Sequence, residues 1–212
     1  MLLGCPLNRD RTELSHSLVL VRLAEEAARP AVLRALAFMV SHGRQSSLSD
    51  RARQRAPGPQ IQIRPLPGAA IAQRLLDAGA KVVVTGRSRG EATPAGATFI
   101  AGDVSSAEGV KAIAAKAVAA LGGLDILVNN AGGARPIAVG SASIPEEEWQ
   151  ASFALNLFAA VRLTNAVLPA LRESKVGAIV NISSNAARMP FGPFAHYCAA
   201  KAALDMYSRA LA

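Results

Sequence analysis

Aromatic residues make up only 4% of the 212-residue chain: one tryptophan, two tyrosines and six phenylalanines. Few rings are available for base stacking, which weighs against a single-stranded nucleic-acid binder. Cysteine is nearly absent as well. Cys5 and Cys198 are too few for a disulfide framework, and nothing in their setting suggests a metal site. A reducing compartment, the cytoplasm, is therefore the expected setting. The histidines His16, His42 and His196 show no ligand spacing. No run approaches the roughly 18 apolar residues that a membrane span needs. No charged segment precedes an apolar core near Met1, so a signal peptide is not expected. Acids at Asp10, Glu13, Glu25 and Glu26 argue against an organelle transit peptide. Lysine is missing from residues 1–67, which carry ten arginines and five acids.

What is present reads as a folded domain with an unusual preface. Half of the residues are hydrophobic and 18% are charged, which excludes wholesale disorder. The net charge of +8 resembles a nucleic-acid signal. Five of those charges fall in residues 1–67, outside the part with regular patterning, and no nucleic-acid-binding motif accompanies them. A basic nucleic-acid binder is therefore a remote alternative. The composition changes near residue 68. Residues 44–67 hold four prolines and many arginines and read as a linker. Residues 17–41 place Leu18, Val21, Leu23 and Ala24 at roughly helical spacing, with Pro30 as an interruption. Residues 1–67 are expected to be an atypical extension, poorly ordered, with residues 1–55 packing little on the core. Arginine without lysine also fits coding read in the wrong frame, and the sequence leaves both origins open.

From residue 68 onward helix and strand patterns alternate. Residues 68–78 carry a helical stripe of Ile71, Leu75 and Ala78, with Gly79 as the cap. Lys81–Thr85 and Ala97–Ala101 read as strands. Ser105 and Glu108 have capping-box spacing before a helix with Val110, Ile113, Ala117 and Leu121 on one face. Gly122–Gly123 ends that helix, and Leu124–Asn129 follows as a buried strand. Ser143 and Glu146 form a second box before a long helix through Trp149, Phe153, Leu157 and Val161 toward Leu171. Ala178–Ile182 is the next strand, and a last helix runs from about Ala195 to the end. Single helices between strands predict an α/β fold with a doubly wound parallel sheet over residues 68–212.

Tyr197 and Lys201 stand four apart on the last helix and share a face. An ordinary tyrosine, with a pKa of about 10, exchanges its proton too reluctantly near neutral pH. A neighbouring cation favours the phenolate, so such a pair can serve a carbonyl or alcohol as proton donor and acceptor. The spacing alone is also that of an exposed tyrosine beside a solvated lysine. Its context is more informative. Strand 178–182 runs into Ser183-Ser184, and strand 124–129 into the small-residue turn Asn130-Ala131-Gly132-Gly133. Both lie at the carboxyl edge of a parallel sheet, where ligands bind. Asn156 sits inside the long helix, where asparagine is a mediocre helix former.

Four motifs in order, Asn129-Asn130-Ala131-Gly132, Asn156 in LNLFAA, Ser183-Ser184 after IVNI, and Tyr197-Cys-Ala-Ala-Lys201, resemble those of the short-chain dehydrogenase/reductase family. The resemblance covers residues 68–212. It implies a Rossmann-like oxidoreductase that transfers hydride between NADP(H) and a carbonyl or secondary alcohol. It implies that Tyr197 is the general acid or base and that Lys201 favours its phenolate and holds the nicotinamide ribose. By the same resemblance Ser184, thirteen residues before Tyr197, donates to the substrate oxygen, and Asn156 positions a water in a proton relay. Asn130, Ala131 and Gly132, with Asn129, would line the cofactor cleft, and Gly68 would be the last glycine of the phosphate loop. Asp103 and Val104 match positions that contact adenine, although Asp103 could equally cap a helix. After the second strand an acid would mark NAD. Here Thr85-Gly86-Arg87-Ser88-Arg89 offers Arg87 to a 2′-phosphate instead, or else a solvated turn, and NADPH is the expected preference over NADH. A small-molecule substrate and a homo-oligomer are the family's expectation. Neither nucleic acid nor membrane is expected as a partner.

Two departures accompany the resemblance. With Gly68 as the last glycine, Gln62 and Leu66 stand where the phosphate loop has its other glycines, and Pro57 and Pro59 fall where a first strand would run. Residues 60–63 (QIQI) are a short substitute strand at best. The pattern also stops at Ala212, before the family's later strands and its Pro-Gly cofactor loop. The alternative expectation is thus a truncated or frame-shifted fragment with weak cofactor binding and little catalysis. Met189, Pro190, Phe191 and Phe194, between Ser184 and Tyr197, hint at an apolar pocket wall.

Overall fold

The computed structural model describes residues 18–23, 30, 67–137 and 140–212. Its strands are β1 (Leu18–Leu23), β2 (Ala80–Gly86), β3 (Thr98–Ala101), β4 (Ile126–Asn129) and β5 (Ala178–Asn181). Its helices are α1 (Pro67–Asp77), α2 (Ala107–Leu121), α3 (Glu146–Phe153), α4 (Ala159–Glu173) and α5 (Ala195–Leu211). A π-helical turn, Ala154–Phe158, joins α3 to α4, so the chain is helical from Glu146 to Glu173. That stretch is long and apolar enough to cross a membrane by composition. It nonetheless opens on three glutamates and turns a stripe of Ala159, Leu163, Val167 and Leu171 into the protein core.

The five strands form one sheet in the order β3-β2-β1-β4-β5. β2 pairs with β3 and β4 with β5 in parallel. β1 lies between the two pairs and runs antiparallel to both neighbours. Four strands therefore share one direction and the central strand opposes them. The architecture is the expected Rossmann-like one, with a mixed sheet instead of a wholly parallel one.

Two expectations for the first 67 residues need correction at β1. Leu18–Leu23 is a strand, not the start of a helix, and it does not pack poorly. Leu18, Val19, Leu20 and Val21 have no exposed surface at all. The run Leu-Val-Leu-Val is apolar on every side, so its helical reading rested on only a few of its positions. A short continuous apolar run fits a strand covered on both faces at least as well. In that strand Leu18 and Leu20 face one core cluster, with Val83, Leu127, α2 and α4. Val19 and Val21 face the other, with Val82, Val84, Ile126, Val128 and α1. Each such side chain contributes about 1.5–3 kcal/mol when withdrawn from water. Polar groups then lock the strand's end. Leu23 donates its N–H to Asp125 Oδ2 at 2.8 Å, and Ser174 donates its hydroxyl to Asp125 Oδ1 at 2.6 Å. The Arg22 guanidinium approaches the same carboxylate at 3.6 Å.

Neither predicted capping box forms. Ser106, not Ser105, caps α2, accepting from the Gly109 N–H at 3.0 Å. Ser105 instead donates its hydroxyl and its N–H to Asp103 Oδ1, at 2.7 and 2.9 Å. Ser143 ends a 3₁₀ turn, and α3 starts after Pro145 with no side-chain cap. The glycine stops hold. Gly122 takes a left-handed φ of 69° and donates to the Val118 carbonyl, which closes α2 as only glycine does without strain. Gln62, Leu66, Pro57, Pro59 and the expected strand at 60–63 lie outside the described residues, as do Cys5, His16 and His42.

Candidate active site

The site lies at the carboxyl edge of β4 and β5. Both strands end in asparagine, and the two side chains bond across the sheet. Asn129 Nδ2 donates to Asn181 Oδ1 at 2.8 Å and, at 3.4 Å, to the Thr164 hydroxyl on α4. Asn181 Nδ2 donates in turn to Ser208 Oγ on α5 at 2.8 Å, and Ser208 donates to the Leu204 carbonyl. This polar chain ties the sheet edge to the helix that carries Tyr197 and Lys201. The sequence reading missed Thr164, Asn181 and Ser208. The signal available was a pair of asparagines ending two apolar strands, where a buried amide must find a partner.

Lys201 is 3% exposed, although it is a lysine on a helix with solvent on its far side. Its ammonium donates to the Ile182 carbonyl at 2.9 Å, just past the end of β5. The Ile182 N–H donates to the Asn129 carbonyl, so Ile182 serves the sheet with its N–H and the lysine with its carbonyl. Burial pulls the Lys201 pKa down to about 8, and Asp205 opposes that shift only in part. Its Nζ lies 5.9 Å from the centre of the half-buried Tyr197 ring.

Asn156 reaches the same place from the π turn. The turn's i→i+5 bond, from the Ala159 N–H to the Ala154 carbonyl, shifts the helix register at this point. Asn156 Oδ1 accepts from the Gly133 N–H at 3.0 Å, and its amide donates to the Gly133 and Ser152 carbonyls at 2.9 Å each. The side chain thus holds the loop after β4 in place. A methyl group at Gly132, within that loop, would force a neighbouring side chain to shift. A Cβ there would stand 2.8 Å from Asn156 Oδ1 and 2.9 Å from Lys201 Nζ. Gly132, Asn156 and Lys201 therefore meet at one point, with the Tyr197 ring beside Lys201, and Ala131, preceding Gly132 in the chain, is buried. Ser184 is half-buried and begins the turn after β5. Its Oγ accepts from the Ala186 N–H at 3.2 Å and donates to Asn185 Oδ1 at a long 3.3 Å. Ser183 keeps its hydroxyl buried with no partner.

Arg87, Asp103 and Val104 gather on the other side of β1. They line a cavity of about 270 Å³ with Gly102, Ser105 and the π-turn residues Ala154 and Leu155. Arg87 is exposed at its mouth and Val104 is buried in its wall. Asp103 is thus both a turn-former, through Ser105, and a cavity residue. Asn130 follows β4 at the same carboxyl edge, and Gly68 is buried in the first turn of α1.

A tyrosine, a buried lysine and a serine at the carboxyl edge of a Rossmann-like sheet form an arrangement that can exchange a proton with a ligand oxygen. The sequence matches the family model described as short chain dehydrogenase over residues 68–212. The chain belongs to the short-chain dehydrogenase/reductase family. An uncharacterized oxidoreductase of Mycobacterium tuberculosis is 38% identical over 152 residues, covering 67% of this chain and 57% of that protein. The 3-oxoacyl-[acyl-carrier-protein] reductase of Vibrio cholerae is 33% identical, covering 68% of this chain and 61% of its own length. A metagenomic short-chain oxidoreductase solved in complex with NADP superimposes with a TM-score of 0.61 at 36% identity, covering 68% of this chain and 69% of that one. A short-chain dehydrogenase from Streptomyces avermitilis gives 0.62 at 39% identity, covering 68% and 55%. The matched region thus spans little more than half of the Mycobacterium relative.

Proposed function

We propose that the chain is an oxidoreductase that interconverts a carbonyl and a secondary alcohol with NADP(H). The convergence of Gly132, Asn156 and Lys201 beside Tyr197 carries this reading. A nicotinamide bound at this edge would supply or accept the hydride. In the reducing direction the Tyr197 hydroxyl gives its proton to the carbonyl oxygen, and in the oxidising direction it takes the proton back. Lys201 faces the ring with its ammonium and has donors to spare beyond the Ile182 carbonyl for ribose hydroxyls. Ser184 turns its hydroxyl from the long bond to Asn185 toward the substrate oxygen and stabilises charge developing there. With the Asn156 side chain committed to Gly133 and Ser152, its part in a water relay falls to its backbone and to the loop it holds.

The 2′-phosphate preference rests on Gly86-Arg87 in place of an acid and on the cavity that Arg87 shares with Asp103 and Val104. The NADP complex of the metagenomic relative is consistent with it. The name of the Vibrio relative makes a 3-oxoacyl thioester one candidate substrate among small carbonyl compounds. Paired titrations test the cofactor preference. NADPH should bind about ten- to a hundredfold more tightly than NADH, on the scale of one charge-assisted contact. Equal affinities, or a ratio unchanged in Arg87→Ala, would refute the preference.

A further inference from the structure

The first turn of α5 carries Tyr197, yet no side chain caps it: Phe194 stands at the N-cap position and makes no side-chain hydrogen bond there. An uncapped helix end frays unless packing holds it. Two contacts do so. On one side the 3₁₀ turn Gly192–Phe194 is tied to the loop after β4, through the Ile137 N–H to the Pro193 carbonyl at 2.9 Å. On the other, His196 sets its ring edge-on to Trp149 of α3, with centroids 6.3 Å apart and planes at 73°. His196 is 2% exposed, and its Nδ1 is buried with no hydrogen-bond partner among the described residues. The same joint reaches the loop after β4 through Arg135, which pairs with Glu148, the residue before Trp149.

A phenylalanine would fill this joint without burying an unpaired nitrogen. A polar ring kept there, next to a reacting tyrosine, points to a use for it. We propose that His196 is a positioning residue: its neutral ring holds the first turn of α5 against α3 and so sets where the Tyr197 hydroxyl stands, and its protonation releases that turn. The proposal rests on the reading of Tyr197 as proton donor. The surroundings favour the neutral ring. Burial penalises the imidazolium and the Arg135 guanidinium adds like-charge repulsion, so the His196 pKa lies below the ordinary 6.5. Of the elements packed on α5, α3 brings Glu146, Glu147 and Glu148, the first two exposed and the third paired with Arg135. The turn after β5 brings the exposed Arg188, while β5 itself, the π turn and the turn Gly192–Phe194 bring no charge. On α5 the charged residues are Lys201, Asp205 and Arg209. An imidazolium here would meet a cation on the loop and a carboxylate already committed to that cation.

Trp149 is the chain's single tryptophan, so its emission reports on this joint alone. An imidazolium beside an indole quenches it. The full chain, His196→Phe and His196→Ala are titrated between about pH 8 and pH 5, with tryptophan emission and NADPH-dependent reduction of a panel of ketones followed side by side. Acid keeps Tyr197 protonated and Lys201 charged, which favours reduction, so an acid loss of rate has no source in that pair. In the parent, emission and kcat should fall together as pH drops below about 6.5, kcat by about fivefold or more, with KM for NADPH unchanged. His196→Phe keeps the ring contact and should hold both signals within about twofold across the range, whereas His196→Ala should lower kcat about tenfold at every pH. A flat parent emission, the same acid fall in His196→Phe, or a kcat indifferent to both substitutions would overturn the proposal while leaving the oxidoreductase reading in place. A parent without turnover at any pH would defeat that reading, and the positioning of Tyr197 with it, whatever the emission shows.

Discussion

Lys201 shows how one residue joins stability to chemistry. It is buried, and burial lowers its pKa to about 8 from an unfolded value near 10.5. Below pH 8 the lysine is charged in both states, and the folded chain bears the full penalty of burying the charge. Between about pH 8 and 10.5 only the unfolded chain holds that proton, so stability gained from Lys201 rises with pH across this window. Lys201→Met should therefore be more stable than the parent at pH 7, by about 3 kcal/mol at most. The gap should shrink as pH rises through the window. Denaturant unfolding of both chains at several pH values checks the sign, and a gap that widens with pH would contradict it. Gly132 makes a second case. Its missing Cβ leaves the space into which Asn156 Oδ1 and Lys201 Nζ both reach, so Gly132→Ala should displace both and reduce turnover about a hundredfold or more. Turnover near the parent value would show that the close approach has no catalytic meaning. That Tyr197 and Lys201 share a helix face and that Ser184 follows an apolar strand was legible in the sequence, because both are local properties. That Asn156 spends its whole side chain on Gly133 and Ser152 was not, since the loop it grips lies 23 residues away.

At the scale of elements, the capping corrections and the central strand make separate predictions. Ser106→Ala should cost about 1 kcal/mol as the loss of an N-cap. Ser105→Ala should leave the cap of α2 intact, since its hydroxyl bonds Asp103 instead. Thermal unfolding of the two variants distinguishes them, and an equal loss in both would reinstate shared capping. For β1, Leu20→Ala should destabilise the whole fold by about 2–5 kcal/mol, as a fully buried leucine does. A variant unfolding like the parent would return Leu18–Leu23 to the status of a loose extension. The helices and strands from residue 68 onward were readable because each has its own stop, such as Gly79 or Gly122, and its own apolar stripe. β1 was not, for two physical reasons. A strand buried on both faces has no alternation to reveal it, and its partners stand about 60 and 105 residues further along the chain. Capping serines one residue apart, as at Ser105 and Ser106, are decided by the turn that Asp103 makes, which sequence spacing does not encode.

For the whole molecule, the sheet separates two groups of candidate site residues. The carboxyl edge of β4 and β5 gathers Gly132, Asn156, Ser184, Tyr197 and Lys201, and the edge of β2 and β3 gathers Arg87, Asp103 and Val104. The reversed β1 fills the core between them with apolar side chains. The strand order that sets the two edges apart depends on a segment lying outside the matched region 68–212, and so no motif within that region announces it. The central claim is that Tyr197 is the proton donor of a hydride-transfer site. A single-turnover experiment tests it most directly, with the full chain in excess over NADPH, a panel of ketones and 3-oxoacyl thioesters added, and loss of reduced-nicotinamide absorbance followed. The parent should consume NADPH. Tyr197→Phe should lower that rate at least a hundredfold while calorimetry shows NADPH binding unchanged. Equal rates in the two chains, or no consumption by the parent at NADPH concentrations shown to bind, would contradict the account.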